Sequence, residues 1–285
     1  MRPVRSFPEG PMPFDAELIA AVHVTRFRRD AIPAPDGDPH ALFQVSTVEA
    51  LLEGRFDGEL PMAEVLARGD HGLGTLDGLD GEMLILDGVA WQGRMDGTLR
   101  RVGPDERTPF AVVMPFHAEA THALAAPADG TPFDLDGLTA AVDALLPDPG
   151  LIYGVRIEAE VASITVRSVP KQVPPYPSLT AVAALEAIIE LPAGRVTIVG
   201  FRRPAVFAGI GVPGYHLHAA DAARAMGGHV LAIAFRSGTV AYDRADALHL
   251  ELPAGVSAAI GAASEEARAR IAQAEEHLPG TADGR

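Results

Sequence analysis

From Phe43 onward the chain alternates short apolar runs with breaks marked by Gly, Pro and Asp, a rhythm of many brief strands and few helices. Ser46-Thr-Val-Glu49 reads as a capping box, predicting a helix to Glu53 that Gly54 stops. A second short helix spans Pro61 to Arg68 and ends at Gly69. Asp87-Gly88 is a tight hairpin turn joining strands at Glu82–Leu86 and Val89–Gln92. Phe110–Phe116 is almost wholly apolar, as an interior strand would be. Further on, a helix over Gly137–Leu146 precedes strands at Leu151–Glu158 and Val161–Arg167. Ser178 caps a helix running to about Ile188. Strands at Arg195–Phe201, Thr239–Tyr242 and Ala247–Glu251 follow, then a tail helix from Glu265 past Glu275 toward Leu278. Before all this, residues 1–39 form a Pro-rich arm with a short helix at Asp15–Val24. The fold class is α+β, with a sheet-rich unit over 40–150 and a second β-rich unit over 151–285.

Composition narrows the chemistry. With 285 residues, 48% of them hydrophobic and 21% charged, the chain can bury a substantial core. A net charge of −15 argues against a nucleic-acid partner, since phosphate binding runs on Lys and Arg. There is no cysteine, so any metal must be held by His and carboxylates. No apolar run is long enough for a membrane-spanning helix, and the N-terminus lacks a signal-peptide pattern; a cytoplasmic location is expected.

The densest chemistry lies in Gly211–Val230. His216 and His218 sit at i and i+2, so in a strand their imidazoles share a face. Gly227-Gly228 predicts a turn into a second strand, His229–Phe235, which returns a third imidazole to the same point. Three neutral nitrogens with one or two positions left open suit a catalytic zinc. The glycine-rich stretch Gly69–Glu82 resembles a nucleotide fingerprint only loosely, because a strand follows where a helix is needed. It reads better as a tight, irregular backbone delivering Thr75 and Glu82 to a site. Arg167 at a strand end and Glu275 on the tail helix have, by themselves, the ordinary reading of solvated surface groups. His23, His40, His71, His117, His122, His249 and His277 lack ligand spacing and are read as surface or structural. No Gly-x-Ser-x-Gly elbow or Walker loop is present.

Taken together, five blocks make the chain resemble the acetolactate decarboxylase family. They are FQVSTVEALLEGRFDGE (43–59), GDHGLGTLDGLDGEMLILDG (69–88), RTPFAVV (107–113), RSVPKQVPPYPSL (167–179) and VGFRRPAVFAGIGVPGYHLH…GGHVL (199–231). The resemblance implies a zinc ion held by His216, His218 and His229, with Glu82 and Glu275 completing the shell. It places Arg167 beside the metal and gives Thr75 the position of the family's Gly-x-Gly-Thr threonine. It also implies an N-terminal mixed sheet, a smaller β-barrel-like C-terminal domain bearing the metal, and a homodimer. The sequence departs from the family at His71 and Leu76, where many members carry Phe, at Asp77 and at Ala219-Ala220.

The implied reaction converts (S)-2-acetolactate, and by extension 2-aceto-2-hydroxybutyrate, to (R)-acetoin or its homologue and CO2. Zinc would stabilise the charge left as the carboxylate departs, Arg167 would orient the carboxylate or polarise the metal-bound oxygens, and Glu82 and Arg167 are both open as the proton route. Two other readings use the same histidines. A cupin-like oxygenase or isomerase would want a Glu soon after the His pair, where the nearest carboxylate is Asp221. A zinc-stabilised binding protein would bind small acids without releasing CO2.

Overall fold

The computed structural model describes residues 21–26, 39–253 and 265–275, and of 21–26, 265–268 and Glu275 it describes the backbone. The first half runs β1 (Ala21–Arg26), β2 (Ala41–Val45), α1 (Val48–Leu52), β3 (Leu60–Pro61), α2 (Met62–Leu66) and β4 (His71–Thr75). It continues with β5 (Glu82–Leu86), β6 (Val89–Gly93), β7 (Leu99–Arg101), β8 (Arg107–Thr108) and β9 (Phe110–Met114). The second half comprises β10 (Ala120–Ala125), α3 (Leu135–Asp143), β11 (Ile152–Ser168), α4 (Leu179–Ala183), β12 (Ala187–Leu191) and β13 (Gly194–Arg203). Then come β14 (Gly214–Asp221), β15 (Gly227–Ala245), β16 (Ala247–Leu252) and α5 (Glu265–Glu275). The helices are short and the sheets dominate, an α+β arrangement.

Two large sheets face each other. The first has the order β1-β16-β2-β9-β4-β5-β6-β7, parallel where β16 meets β1 and β2 and antiparallel elsewhere. The second has the order β10-β15-β14-β13-β11-β12, and its pairing returns on itself through β11 and β15. Chain order and sheet membership part company at β16, which crosses back into the first sheet, while β10 belongs to the second sheet although it precedes the expected boundary at 150/151.

A buried layer including Leu42, Leu73, Phe110, Val112 and Leu250 on one side and Ile152 and Phe201 on the other fuses the two sheets. At roughly 25 cal/mol per Å2 of apolar surface removed from water, such a layer is the main reason the sheets stay together. The outer face of the first sheet is covered by α2 through Met62 and Val65. On the second sheet the opposite face wraps Tyr153, Ile157, Phe235 and Tyr242 under Leu138 and Val142 of α3.

Several expected elements change on folding. The cap of α1 is Thr47, whose hydroxyl accepts from the Ala50 amide, while Ser46 takes a left-handed φ of 61° just before it. Of the Gly69–Glu82 segment expected as irregular backbone, His71–Thr75 is the regular, fully buried strand β4, and 76–81 is a turn with left-handed φ at Gly78, Leu79 and Gly81. Leu151–Arg167 is one strand bent by register shifts near Val161, because an unpaired residue redirects a strand without ending it. Likewise His229–Phe235 and Thr239–Tyr242 are parts of the single strand β15. The helix after Ser178 ends at Ala183, and β12 begins at Ala187. In the N-terminal arm Ala21–Arg26 is a strand on β16, not helix; the rest of the arm lies outside the described residues. Gly227-Gly228 is not the turn, which falls at Ala222–Met226 with Arg224 at φ 55°. A Cβ on Gly228 would stand 2.4 Å from the Arg167 carbonyl oxygen, so glycine lets β15 press against β11 at that point.

His71 is buried between the sheets. It stacks on Phe116 with 4.4 Å between ring centroids, and its Nε2 lies 3.2 Å from the Gly200 carbonyl oxygen. Burial pulls its pKa down to about 4, against the opposing pull of the Gly200 hydrogen bond. The unfolded chain therefore takes up this proton near the ordinary value of 6.5 while the folded chain does so near 4. Stability is full above the first value and falls as the pH drops toward the second, by about 3 kcal/mol at most. Replacing His71 by Phe should remove this loss. In urea unfolding at pH 7, 5.5 and 4, His71→Phe should gain on the wild type as the solution is acidified; parallel acid limbs would refute the assignment.

Candidate metal centre

The centre is built by cross-strand register. Arg167 on β11 pairs with His229 on β15, and His229 pairs with His218 on β14. Residues opposite one another in a sheet project to the same face. One row across three adjacent strands thus carries Arg167, His229 and His218 toward the first sheet. His216, two residues before His218, joins them from the same face. The imidazole centroids form a nearly equilateral triangle with sides of 5.1, 5.1 and 5.2 Å. One ring nitrogen from each falls within 4.8 Å of the others.

From the opposing sheet, Thr75 and Glu82 are register partners across the β4–β5 hairpin and so share a face. Glu82 Oε2 lies 3.5 Å from His218 Nε2, and Glu82 Oε1 lies 3.9 Å from Arg167 Nε. The Thr75 hydroxyl donates to the Gly81 carbonyl oxygen at 2.7 Å, leaving its lone pairs for other contacts. Thr75, Glu82, Arg167, His216 and His229 line one small cavity, closed by Val48, Leu51, Leu179 and Ala183. Thr75, Glu82, Arg167, His218 and His229 are all less than a tenth exposed, and His216 is half-buried.

Two features fit this set to a divalent cation. The His218 Nδ1–H donates to the Met83 carbonyl oxygen at 2.8 Å, which fixes the tautomer and leaves the lone pair on Nε2. That Nε2 faces His229 Nδ1 at 3.3 Å. Two nitrogens each about 2.0–2.1 Å from one tetrahedral zinc would be separated by about this distance. Two of the rings are also kept neutral. Burial, followed by the charges of Arg167 and Arg203, holds His216 at about 3. Burial and then His216 itself push His218 well below its usual value, with Arg167 adding to the effect. Desolvation that excludes a proton leaves a lone pair free for a metal.

Arg167 is anchored, not solvated. Its Nη1 donates to Glu186 Oε2 at 3.0 Å and to the Ala274 carbonyl oxygen of α5. Nothing in the sequence singled out Glu186, which lies in the turn between α4 and β12 and has no motif around it. The carbonyl of Met83 was equally illegible, because a backbone acceptor leaves no mark in residue type. Glu275 directly follows Ala274 at the end of α5, and its side chain lies outside the described residues. Wider space lies beyond His229, where a groove of about 700 Å3 runs between β14, β15, α3 and α5.

A family model described as alpha-acetolactate decarboxylase matches residues 42–258. A protein of that description from Methanosarcina mazei is 40% identical over 213 residues, 75% of this chain and 72% of its own length. Another, from Methylococcus capsulatus, is 38% identical over 242 residues, 85% of this chain and 91% of its own. Among solved structures, alpha-acetolactate decarboxylase from Bacillus subtilis superposes with a TM-score of 0.76 at 31% identity, covering 83% of this chain and all of that one.

If Glu186 holds Arg167 in place, Glu186→Gln should lower kcat/KM by about tenfold, the scale of a lost charge-assisted contact, without reducing bound metal. Steady-state kinetics beside elemental analysis would check this, and unchanged kinetics would assign Glu186 a purely structural part.

Proposed function

The chain belongs to the alpha-acetolactate decarboxylase family, and from that premise we propose that His216, His218, His229 and Glu82 hold a catalytic divalent cation, Zn2+, with Glu275 as a further ligand. The protein is a carboxy-lyase that decarboxylates 2-acetolactate. The observation that carries the metal reading is the convergence of three imidazoles, two of them held neutral by burial, with Glu82 and Arg167 between the sheets.

2-Acetolactate carries a carboxylate, a tertiary hydroxyl and a ketone on neighbouring carbons. When the carboxylate leaves as CO2, the electron pair of the broken bond moves toward the ketone and an enediolate remains. The bound cation supplies a Lewis acid for that developing negative charge. Arg167, a fixed guanidinium held by Glu186 and the α5 backbone, grips the carboxylate in one orientation and stabilises the negative charge that builds as the bond breaks. Thr75 positions the substrate from the opposite wall. A proton then returns to carbon from one face to give (R)-acetoin. Glu82 and Arg167 both stand beside the cavity and share the candidacy for that route. The apolar wall of Val48, Leu51, Leu179 and Ala183 keeps the site dry, where these charges count for more than in water.

The closed pairing of β11, β13, β14 and β15 supports reading the second sheet as barrel-like. The same proposal treats 40–150 and 151–285 as two units that exchange β10 and β16. Homodimerisation, a cytoplasmic location and turnover of 2-aceto-2-hydroxybutyrate complete it, on the strength of the family resemblance.

Purified protein should release acetoin and CO2 from racemic 2-acetolactate, and a chelator should abolish this until Zn2+ is restored. Glu82→Gln should retain part of its metal yet lose turnover by about 100-fold or more, the scale of removing a group that acts on transition-state charge. His218→Ala should lose both metal and turnover. Wild-type rates in Glu82→Gln would remove Glu82 from the mechanism.

A further inference from the structure

One charged side chain near the centre has no function in the reading above. Arg203, at the end of β13, is 3% exposed, and neither of its Nη atoms has a hydrogen-bond partner among the described residues. Burial lowers its pKa to about 10, so it stays positively charged at neutral pH. An isolated buried charge costs several kcal/mol unless something of opposite sign compensates it.

The surroundings are shaped to hold it. A Cβ on Gly211 would lie 1.9 Å from Arg203 Nη1 and 2.6 Å from Cζ, so the guanidinium occupies the space that any other residue at 211 would fill. Register sets its direction. Phe201 pairs with His216 and Arg203 with Gly214, so Arg203 lies on the same sheet face as the imidazoles, diagonal to His216. The positive charge is felt there, since it is one of the causes that keep His216 unprotonated. Gln44 reaches the same stretch from the first sheet, donating from Nε2 to the Ile210 carbonyl oxygen at 2.7 Å.

We propose that Arg203, in the space left by Gly211, is the centre of a second anion subsite beside the metal centre, taking a small monoanion of the carboxylate or halide class. The anion has two possible sources, the substrate's own carboxylate and a free ion from solution. Only the first rests on the decarboxylase reading. In both cases the guanidinium binds the anion by charge-assisted N–H donation, and no bond is made or broken.

The test uses the zinc-loaded enzyme, with Arg203→Met and Arg203→Lys, at constant ionic strength with isethionate exchanged for chloride or acetate. Thermal unfolding reads the site without catalysis. The wild-type midpoint should rise saturably with chloride or acetate, Arg203→Lys should keep part of the rise, and Arg203→Met should show none. Arg203→Met should also be no less stable than wild type in isethionate, because it removes an uncompensated charge. Kinetics separate the sources. If the substrate carboxylate is the occupant, both anions inhibit competitively and Arg203→Met raises KM by about tenfold while abolishing that inhibition. If a solution anion is the occupant, chloride raises kcat/KM in the wild type and not in Arg203→Met. A wild-type midpoint indifferent to both anions, with KM unchanged in both variants, overturns the proposal, as does an anion response that Arg203→Met shares. An enzyme that shows the thermal response but no decarboxylation would overturn the functional reading and leave the subsite standing.

Discussion

Keeping imidazole dry is the constraint on which the centre depends. An exposed histidine near neutral pH spends part of its time protonated, and a protonated ring cannot ligate. Here the rings lie between two sheets, and for His216 and His218 the loss of water outweighs every other influence on the proton. Water is excluded by the apolar layer that joins the sheets, so the packing and the chemistry have one cause. Arg167 and Glu186 sharpen the point. A buried ion pair gains little for stability over an apolar replacement, yet it delivers a permanent positive charge to a place where an unanchored side chain would turn to solvent.

The parts legible in sequence were those whose signal is local. Asp87-Gly88 needs two left-handed residues in succession and has them, with φ of 52° and 73°. His216 and His218 share a face because any strand puts i and i+2 together. Reading failed where an outcome depends on what packs opposite. The Gly-x-Gly-Thr segment looks like a loop by composition, yet β5 and β9 hydrogen-bond it on both edges and make it a strand. Gly227-Gly228 looks like a turn, and the approach of neighbouring backbones makes it the start of β15. For Arg167, residue type alone favoured the surface. Only the family resemblance raised it to a site residue, and its burial follows from sheet pairing that no local window contains. Glu186 and Arg203 had neither a motif nor a resemblance to mark them.

Charge in this protein is distributed by location. The chain as a whole is strongly acidic at −15, which by itself would repel an anionic substrate. Two buried guanidinia, Arg167 and Arg203, stand on the inner face of the second sheet with the imidazoles. A low-dielectric wall lets such charges act at full strength over short distances, while solvent and salt screen those outside. The site thus concentrates charge of both signs, Arg167 and Arg203 beside Glu82 and Glu186, inside an acidic molecule.

The smallest feature behind this arrangement is one unpaired residue. Thr165 faces Ala232, but Val166 faces Val230, so Leu231 is skipped and β15 gains an extra residue against β11. Facing residues share a side and successive ones alternate, so an unbroken ladder would set Arg167 opposite Val230 and turn His229 to the far side of the sheet. The bulge at Leu231 therefore acts as a parity switch in the backbone. An insertion or deletion of odd length beside it would turn His229 to the far face however well the hydrophobic layer tolerated it, which ties evolutionary drift in this strand to changes of even length.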